Sequence, residues 1–266
     1  MIVDESGAPI TMGGFALPHP GHIADTFERN NNLALGNGWT DLSSLFPDDY
    51  DPTGIYEGSA SDRDPFWLSK RGFKMNSGYW DDYADTYPAR RIGGIGGAIR
   101  DVGSDSYDVT VTSAGLLGGA DSTGSIHNEA SPLVGVNTES ADLAYGAWLS
   151  RIADTFVWLV GRIGIPGEEP VITHTLSDED HTDGTPFEVT IKYRSTEFTI
   201  WKDGTQVTGF VDQADPEGPT VDTIPVDADY QASTWAGFAF DQHLTTPRKL
   251  IGRTPAVTSY KHQVVA

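Results

Sequence analysis

Two stretches of this chain hold residue types dense enough to do chemistry. Tyr79-Trp80-Asp81-Asp82-Tyr83-Ala84-Asp85-Thr86-Tyr87 packs four aromatics and three aspartates into nine residues. Sugars are held by aromatic faces laid on their C–H surfaces and by carboxylates that accept hydroxyl hydrogen bonds. Tyr79, Trp80, Asp82, Tyr83, Asp85 and Tyr87 are therefore the candidate carbohydrate-binding residues. The competing reading makes the same aromatics anchors of a packed insertion or an interface. The second stretch, Asp178-Glu179-Asp180-His181-Thr182-Asp183, gathers four carboxylates. Calcium takes oxygen ligands from such clusters, which makes Asp178, Asp180 and Asp183 the candidate metal ligands, although the spacing is not that of an EF-hand. A solvated hairpin loop is the simpler account of the charge run. Calcium is the one cofactor that any pattern here invites.

Signatures of other chemistry are absent or incomplete in the chain. Glycosidases of all-β folds commonly set an acid and a nucleophile on one strand as E-x-D-x-E or E-x-D-x-x-E, and neither spacing occurs. G-x-S-x-G, H-E-x-x-H and a Walker loop do not occur either. Arg91-Ile-Gly-Gly-Ile-Gly-Gly-Ala98 has the glycines of a dinucleotide loop without the last one and without a surrounding βαβ pattern, so it reads as a close-packed turn. His19-Pro-Gly-His22 has no third ligand nearby and reads as a turn. With no cysteine, disulfides, thiolate metal sites and cysteine nucleophiles are excluded. On these grounds the chain is expected not to be an enzyme.

Composition narrows the partners. Thirty-eight acidic against 17 basic residues give a net charge of -21, the wrong sign for tracking phosphate, so neither nucleic acid nor an anionic membrane surface is an expected partner. The first residues have neither a basic start nor an apolar core, and Phe156 to Val160 is too short to span a bilayer. No signal peptide, transmembrane segment or membrane insertion is expected. A length of 266 residues suffices for one large β domain.

The elements that must position these residues read as strands. Phe187, Val189, Ile191 and Tyr193 alternate with Glu188, Thr190, Lys192 and Arg194, the period of a half-buried strand. Phe198 to Lys202, then Asp203-Gly204, then Thr205 to Val207 predict a hairpin, because Asp-Gly supplies the two positive φ values such a turn needs. Tyr107 to Thr112 alternates likewise. Ala144–Arg151 and Thr155–Arg162 form a more apolar pair, and Trp235–Phe240 and Ala256–Val265 supply late strands. No apolar stripe of helical period is present. Residues 1–21, with Gly7, Pro9, Gly13, Gly14, Pro18, Pro20 and Gly21, read as a flexible N-terminal arm that orders against a neighbouring chain.

The order of these pieces resembles a known family. Asp25-Thr-Phe27-Glu-Arg29, followed by Leu35-Gly36-Asn-Gly38-Trp39, resembles the opening D-x-F-x-R … L-G-x-x-W of concanavalin A-like, laminin-G-type jelly rolls found in phage tail and bacterial surface proteins. Tyr107–Thr112, Gly146–Arg151, the hairpin around Asp203-Gly204 and Trp235–Asp241 resemble later strands of that family, in its order. The resemblance implies an all-β, antiparallel two-sheet jelly-roll sandwich over residues 22–266, with an insertion within 41–105. It also implies sugar binding on the concave face or along its edge loops. It further implies a virion structural protein, a minor tail or tail-tip component of a tailed phage made in the host cytoplasm. The expected partners are other virion proteins, in a homo-oligomer or symmetric assembly, and a host cell-wall glycan. The alternatives are a glycoside hydrolase or lyase of the same fold, a capsid decoration protein and a calcium-dependent adhesin.

Overall fold

In the computed structural model, the structure describes residues 22–25, 38–41, 66–69, 72–75, 96–113, 120–121, 124–140, 142–152, 155–164, 171–182, 185–244 and 257–265. Early in the chain come β1 (His22–Asp25), β2 (Thr40–Asp41), β3 (Phe66–Ser69), β4 (Gly72–Met75), β5 (Gly96–Asp101) and β6 (Ser106–Ser113). The middle contributes β7 (Ala120–Asp121), β8 (Gly124–Val134), β9 (Asp142–Ile152), β10 (Thr155–Gly164), β11 (Val171–Leu176) and β12 (Phe187–Arg194). The last are β13 (Glu197–Lys202), β14 (Thr205–Gln206), β15 (Val211–Asp212), β16 (Ile224–Pro225), β17 (Trp235–Leu244) and β18 (Val257–Val264). The described residues contain one helical element, a single 3-10 turn at Ala228–Tyr230.

These strands form two antiparallel sheets. The first runs β14-β13-β12-β6-β18-β4-β3, with β1 also on β18 and β16 also on β13. The second runs β15-β11-β10-β9-β8-β17-β5-β2, with β7 also on β8. Neighbours such as β6–β18 and β8–β17 are far apart in sequence, as jelly-roll connections require. The fold is thus the all-β, two-sheet jelly-roll sandwich expected. Of the stretch 41–105, β5 belongs to the sandwich itself, while the β3–β4 hairpin extends the first sheet through the pairing of Phe73 with Val257.

Alternation explains the core. Phe187, Val189, Ile191 and Tyr193 are buried and their alternate neighbours are not, so β12 turns one face inward. Trp158 and Val160 of β10, Tyr145, Ala147 and Leu149 of β9, and Phe238 of β17 meet them from the second sheet. The opposite face of the second sheet carries a further buried cluster that includes Ile99, Leu133, Trp148 and Ile163. Asp203 and Gly204 both have positive φ, 48° and 80°, which closes the hairpin with the twist of its strands. Pro132 brings no N–H to the β8 ladder. There the Ser131 hydroxyl accepts from the Ala147 N–H (2.8 Å) and donates to the Pro132 carbonyl (2.7 Å).

The two ends of the opening motif meet as well. The Trp39 indole N–H donates to Asp25 Oδ2 at 3.1 Å. Its ring stands edge-on to Tyr260 (4.7 Å between centroids) and Phe238 (5.2 Å), with the Arg100 guanidinium 5.1 Å from it. One tryptophan thus ties β1 to both sheets, which gives a physical reason for a Trp at that position.

Candidate functional site

An open cleft of about 450 Å³ lies where the β12–β13–β14 hairpin meets the segment leaving β11. It is lined by Leu176, Glu179, Lys202, Asp203, Thr205, Gln206, Val207 and Thr208. Local structure places each group. Asp203 is held by the hairpin it turns: its N–H donates to the Glu188 carbonyl (3.0 Å), and its Oδ1 accepts from the Glu188 N–H (2.8 Å). Gln206 Nε2 donates to the Asp222 carbonyl at 3.2 Å, tying β14 to the crossing segment beyond it.

Glu179 is the joint of the site. Its N–H donates to the Phe156 carbonyl (3.0 Å), which fixes the segment to β10. Its Oε2 accepts from the Trp158 indole N–H (3.0 Å), and its Oε1 pairs with Lys202 Nζ (2.8 Å). Lys202 also donates to the Asp180 carbonyl at 2.7 Å. The side chains of Lys202 and Glu179 are only 14% and 18% exposed, so each needs the other's charge. Trp158 belongs to one sheet and Lys202 to the other, so this carboxylate links both to the loop. With both oxygens engaged, Glu179 anchors the loop to both sheets. The cleft therefore presents ammonium, carboxylate, amide and hydroxyl groups around Leu176 and Val207. Donors and acceptors beside a small apolar floor suit a neutral, hydroxyl-rich ligand.

The residues singled out from sequence distribute differently. Tyr79, Trp80, Asp82, Tyr83, Asp85 and Tyr87 lie outside the described residues, as do Asp183 and the whole of the 1–21 arm. Asp178 and Asp180 are exposed at the cleft's approach, Asp178 with a φ of 64°. Among the residues whose side chains are described, no three carboxylates or imidazoles gather around a common point. The charge run thus contributes one ion-paired glutamate, Glu179, to the site. Lys202, Gln206 and Trp158 escaped a functional reading because their meeting is made by the fold: Trp158 and Glu179 are 21 residues apart, and Lys202 is 23 beyond Glu179. A lysine at the foot of an Asp-Gly hairpin, together with an unexplained acidic loop, was the only sequence signal.

No family model matches this chain, and no curated protein matches it. Solved structures do resemble it. The Bacteroides ovatus xyloglucan PUL GH43B is 9% identical over 94% of this chain, with a TM-score of 0.47, and this chain spans 40% of that protein's length. The carbohydrate binding module CBM66 from Bacillus subtilis is 9% identical, covering 85% of this chain and 93% of the module, with a TM-score of 0.39. The Bacillus licheniformis beta-glucanase is 9% identical, covering 92% of this chain and 95% of the enzyme, also with a TM-score of 0.39. At these identities the likeness concerns fold alone.

Proposed function

We propose that this protein is a non-catalytic structural component of a tailed-phage particle, a minor tail or tail-tip protein, whose jelly roll binds glycan on the host cell wall. The cleft built on the Glu179–Lys202–Trp158 joint carries the reading. It is a preformed, polar-rimmed depression at a loop-bearing edge of the sandwich, held by contacts to both sheets. The aromatic and aspartate run at 79–87 has the residue types that stack on and hydrogen-bond to sugars. The resemblance of Asp25–Trp39 to the opening of tail-protein jelly rolls supports the particle assignment. In that setting the chain works as a homo-oligomer among other virion proteins, with its acidic surface keeping crowded copies soluble.

The particle assignment is tested by labelling. Antibody raised against the purified protein should decorate the tail end of intact particles, whereas decoration over the capsid would make it a decoration protein instead. Binding is tested by sedimentation with host cell walls. The protein should pellet with the walls without releasing reducing ends or unsaturated sugars. Steady sugar release would make it the hydrolase or lyase of the same fold.

A further inference from the structure

The tryptophans whose side chains are described fall into two kinds. Trp39, Trp158 and Trp201 each donate the indole N–H to another side chain, and Trp148 is buried. Trp235, the first residue of β17, is 38% exposed, and its indole has no hydrogen bond or ring contact among the described residues. Its backbone, by contrast, is pinned. The Trp235 N–H donates to Ser233 Oγ (3.2 Å), and that hydroxyl donates in turn to the Val136 carbonyl (2.8 Å). The Trp235 carbonyl accepts from the buried Tyr107 hydroxyl (2.8 Å), and the Thr234 carbonyl before it accepts from the Val102 N–H (2.8 Å). A fixed strand end thus presents part of a large aromatic ring to solvent.

Directly across the ladder stands Asp101 of β5. Opposed residues share a face, with Cβ atoms roughly 4.5–5.5 Å apart. Asp101 is exposed, and its Oδ1 accepts from the Gly103 N–H (2.9 Å). That bond orients the carboxylate and leaves Oδ2 without a partner among the described residues. An aromatic face beside an oriented acceptor is a pair that holds a pyranose: the ring covers its C–H surface and the carboxylate takes hydroxyl hydrogens. Charge sets the class of sugar. A carboxylate with no cation paired to it among the described residues, in a chain of net charge -21, repels uronic acids and phosphorylated sugars. We propose that Trp235 and Asp101 form a second sugar-binding site, for one neutral pyranose of a glycan chain. It lies on a different sheet from the hairpin that builds the cleft. The site rests on the reading of this protein as a glycan binder, but not on the cleft. On a wall polymer, two sites in one chain raise the overall affinity without new contacts.

The test is equilibrium dialysis of the full-length protein against oligomers of glucose, galactose, mannose and N-acetylglucosamine, with oligogalacturonate as the anionic comparison. At least one neutral oligomer should fill two equivalents per chain, and oligogalacturonate none. Trp235→Ala should weaken one equivalent at least about tenfold, the scale of one lost stacked ring. Thr205→Trp should remove the other. Asp101→Asn keeps the acceptor for the Gly103 N–H and should weaken the Trp235 equivalent about three- to tenfold, which keeps the test decisive if Trp235→Ala misfolds. A single equivalent lost in Thr205→Trp and untouched by Trp235→Ala and Asp101→Asn leaves the cleft standing and overturns this site. A single equivalent lost only in Trp235→Ala and weakened in Asp101→Asn does the reverse. No saturable uptake of any neutral oligomer overturns both. An oligomer of the protein that dissociates in Trp235→Ala while sugar uptake is unchanged makes Trp235 a subunit contact and also overturns the site.

Discussion

The two flanks of the inter-sheet core treat buried polar atoms in opposite ways. On the β12 flank, four buried tyrosines are all bonded. Tyr107 donates to the Trp235 carbonyl (2.8 Å) and accepts from the Gly135 N–H (3.2 Å), and Tyr193 donates to the Tyr230 carbonyl (2.7 Å). Tyr230 donates to the Asp142 carbonyl (3.0 Å), and Tyr145 accepts from the Asp227 N–H (3.2 Å). Burial pushes the Tyr145 and Tyr193 hydroxyls up to about 12, so they stay neutral donors and acceptors. On the β18 flank, the Tyr260 hydroxyl and both ring nitrogens of His262 are buried without a partner among the described residues. Among the described residues, Arg100, His22 and Asp25 are ionisable neighbours there. Burial, with Arg100 and His22 adding to it, lowers His262 to about 4. The comparison teaches that one flank gains specificity from its polar atoms, while the other tolerates them only in their neutral forms.

The largest expected effect comes from acid. The unfolded chain takes up a proton at its histidine near pH 6.5, whereas folded His262 does so only near 4, so stability falls as pH drops through that window. A shift of that size is worth up to about 3 kcal/mol. Urea unfolding at pH 7.5 and pH 4.5 should show this loss, and His262→Leu should remove most of its pH dependence. A slope unchanged in His262→Leu would place the acid sensitivity elsewhere.

The next effect is smaller and sits on the bonded flank. Tyr193→Phe leaves the Tyr230 carbonyl without its buried donor, which should cost about 1–3 kcal/mol in unfolding free energy. Tyr260→Phe removes a hydroxyl that bonds to nothing among the described residues and should be neutral within about 0.5 kcal/mol, or slightly stabilising. Equal losses in the two variants would erase the distinction between the flanks.

These flanks also show what the sequence carries and what it hides. Alternation at Phe187–Arg194, the Asp203-Gly204 turn and the apolar pair around 144–162 were legible because the period of a strand and the φ of a turn are local properties. β8 carries no strand signal in the sequence, because its polar residues and Pro132 break the pattern, and the Ser131 hydroxyl that bridges the ladder leaves no local mark. The tyrosine network and the Glu179 joint are long-range pairings, invisible until the sheets stack. The Asp25–Trp39 bond lies between: its residues form a motif in the sequence, but the reason they belong together is geometric.

The central claim, that the cleft binds host glycan, is tested most directly by filling it. Thr205 is exposed on β14 at the cleft lining, so Thr205→Trp should occlude the cleft and leave the melting temperature unchanged. Sedimentation of wild type and variant with host cell walls should show at least a tenfold loss of affinity in the variant, about 1.4 kcal/mol or more. Full wall binding by a folded Thr205→Trp protein would contradict the account and place recognition elsewhere on the molecule.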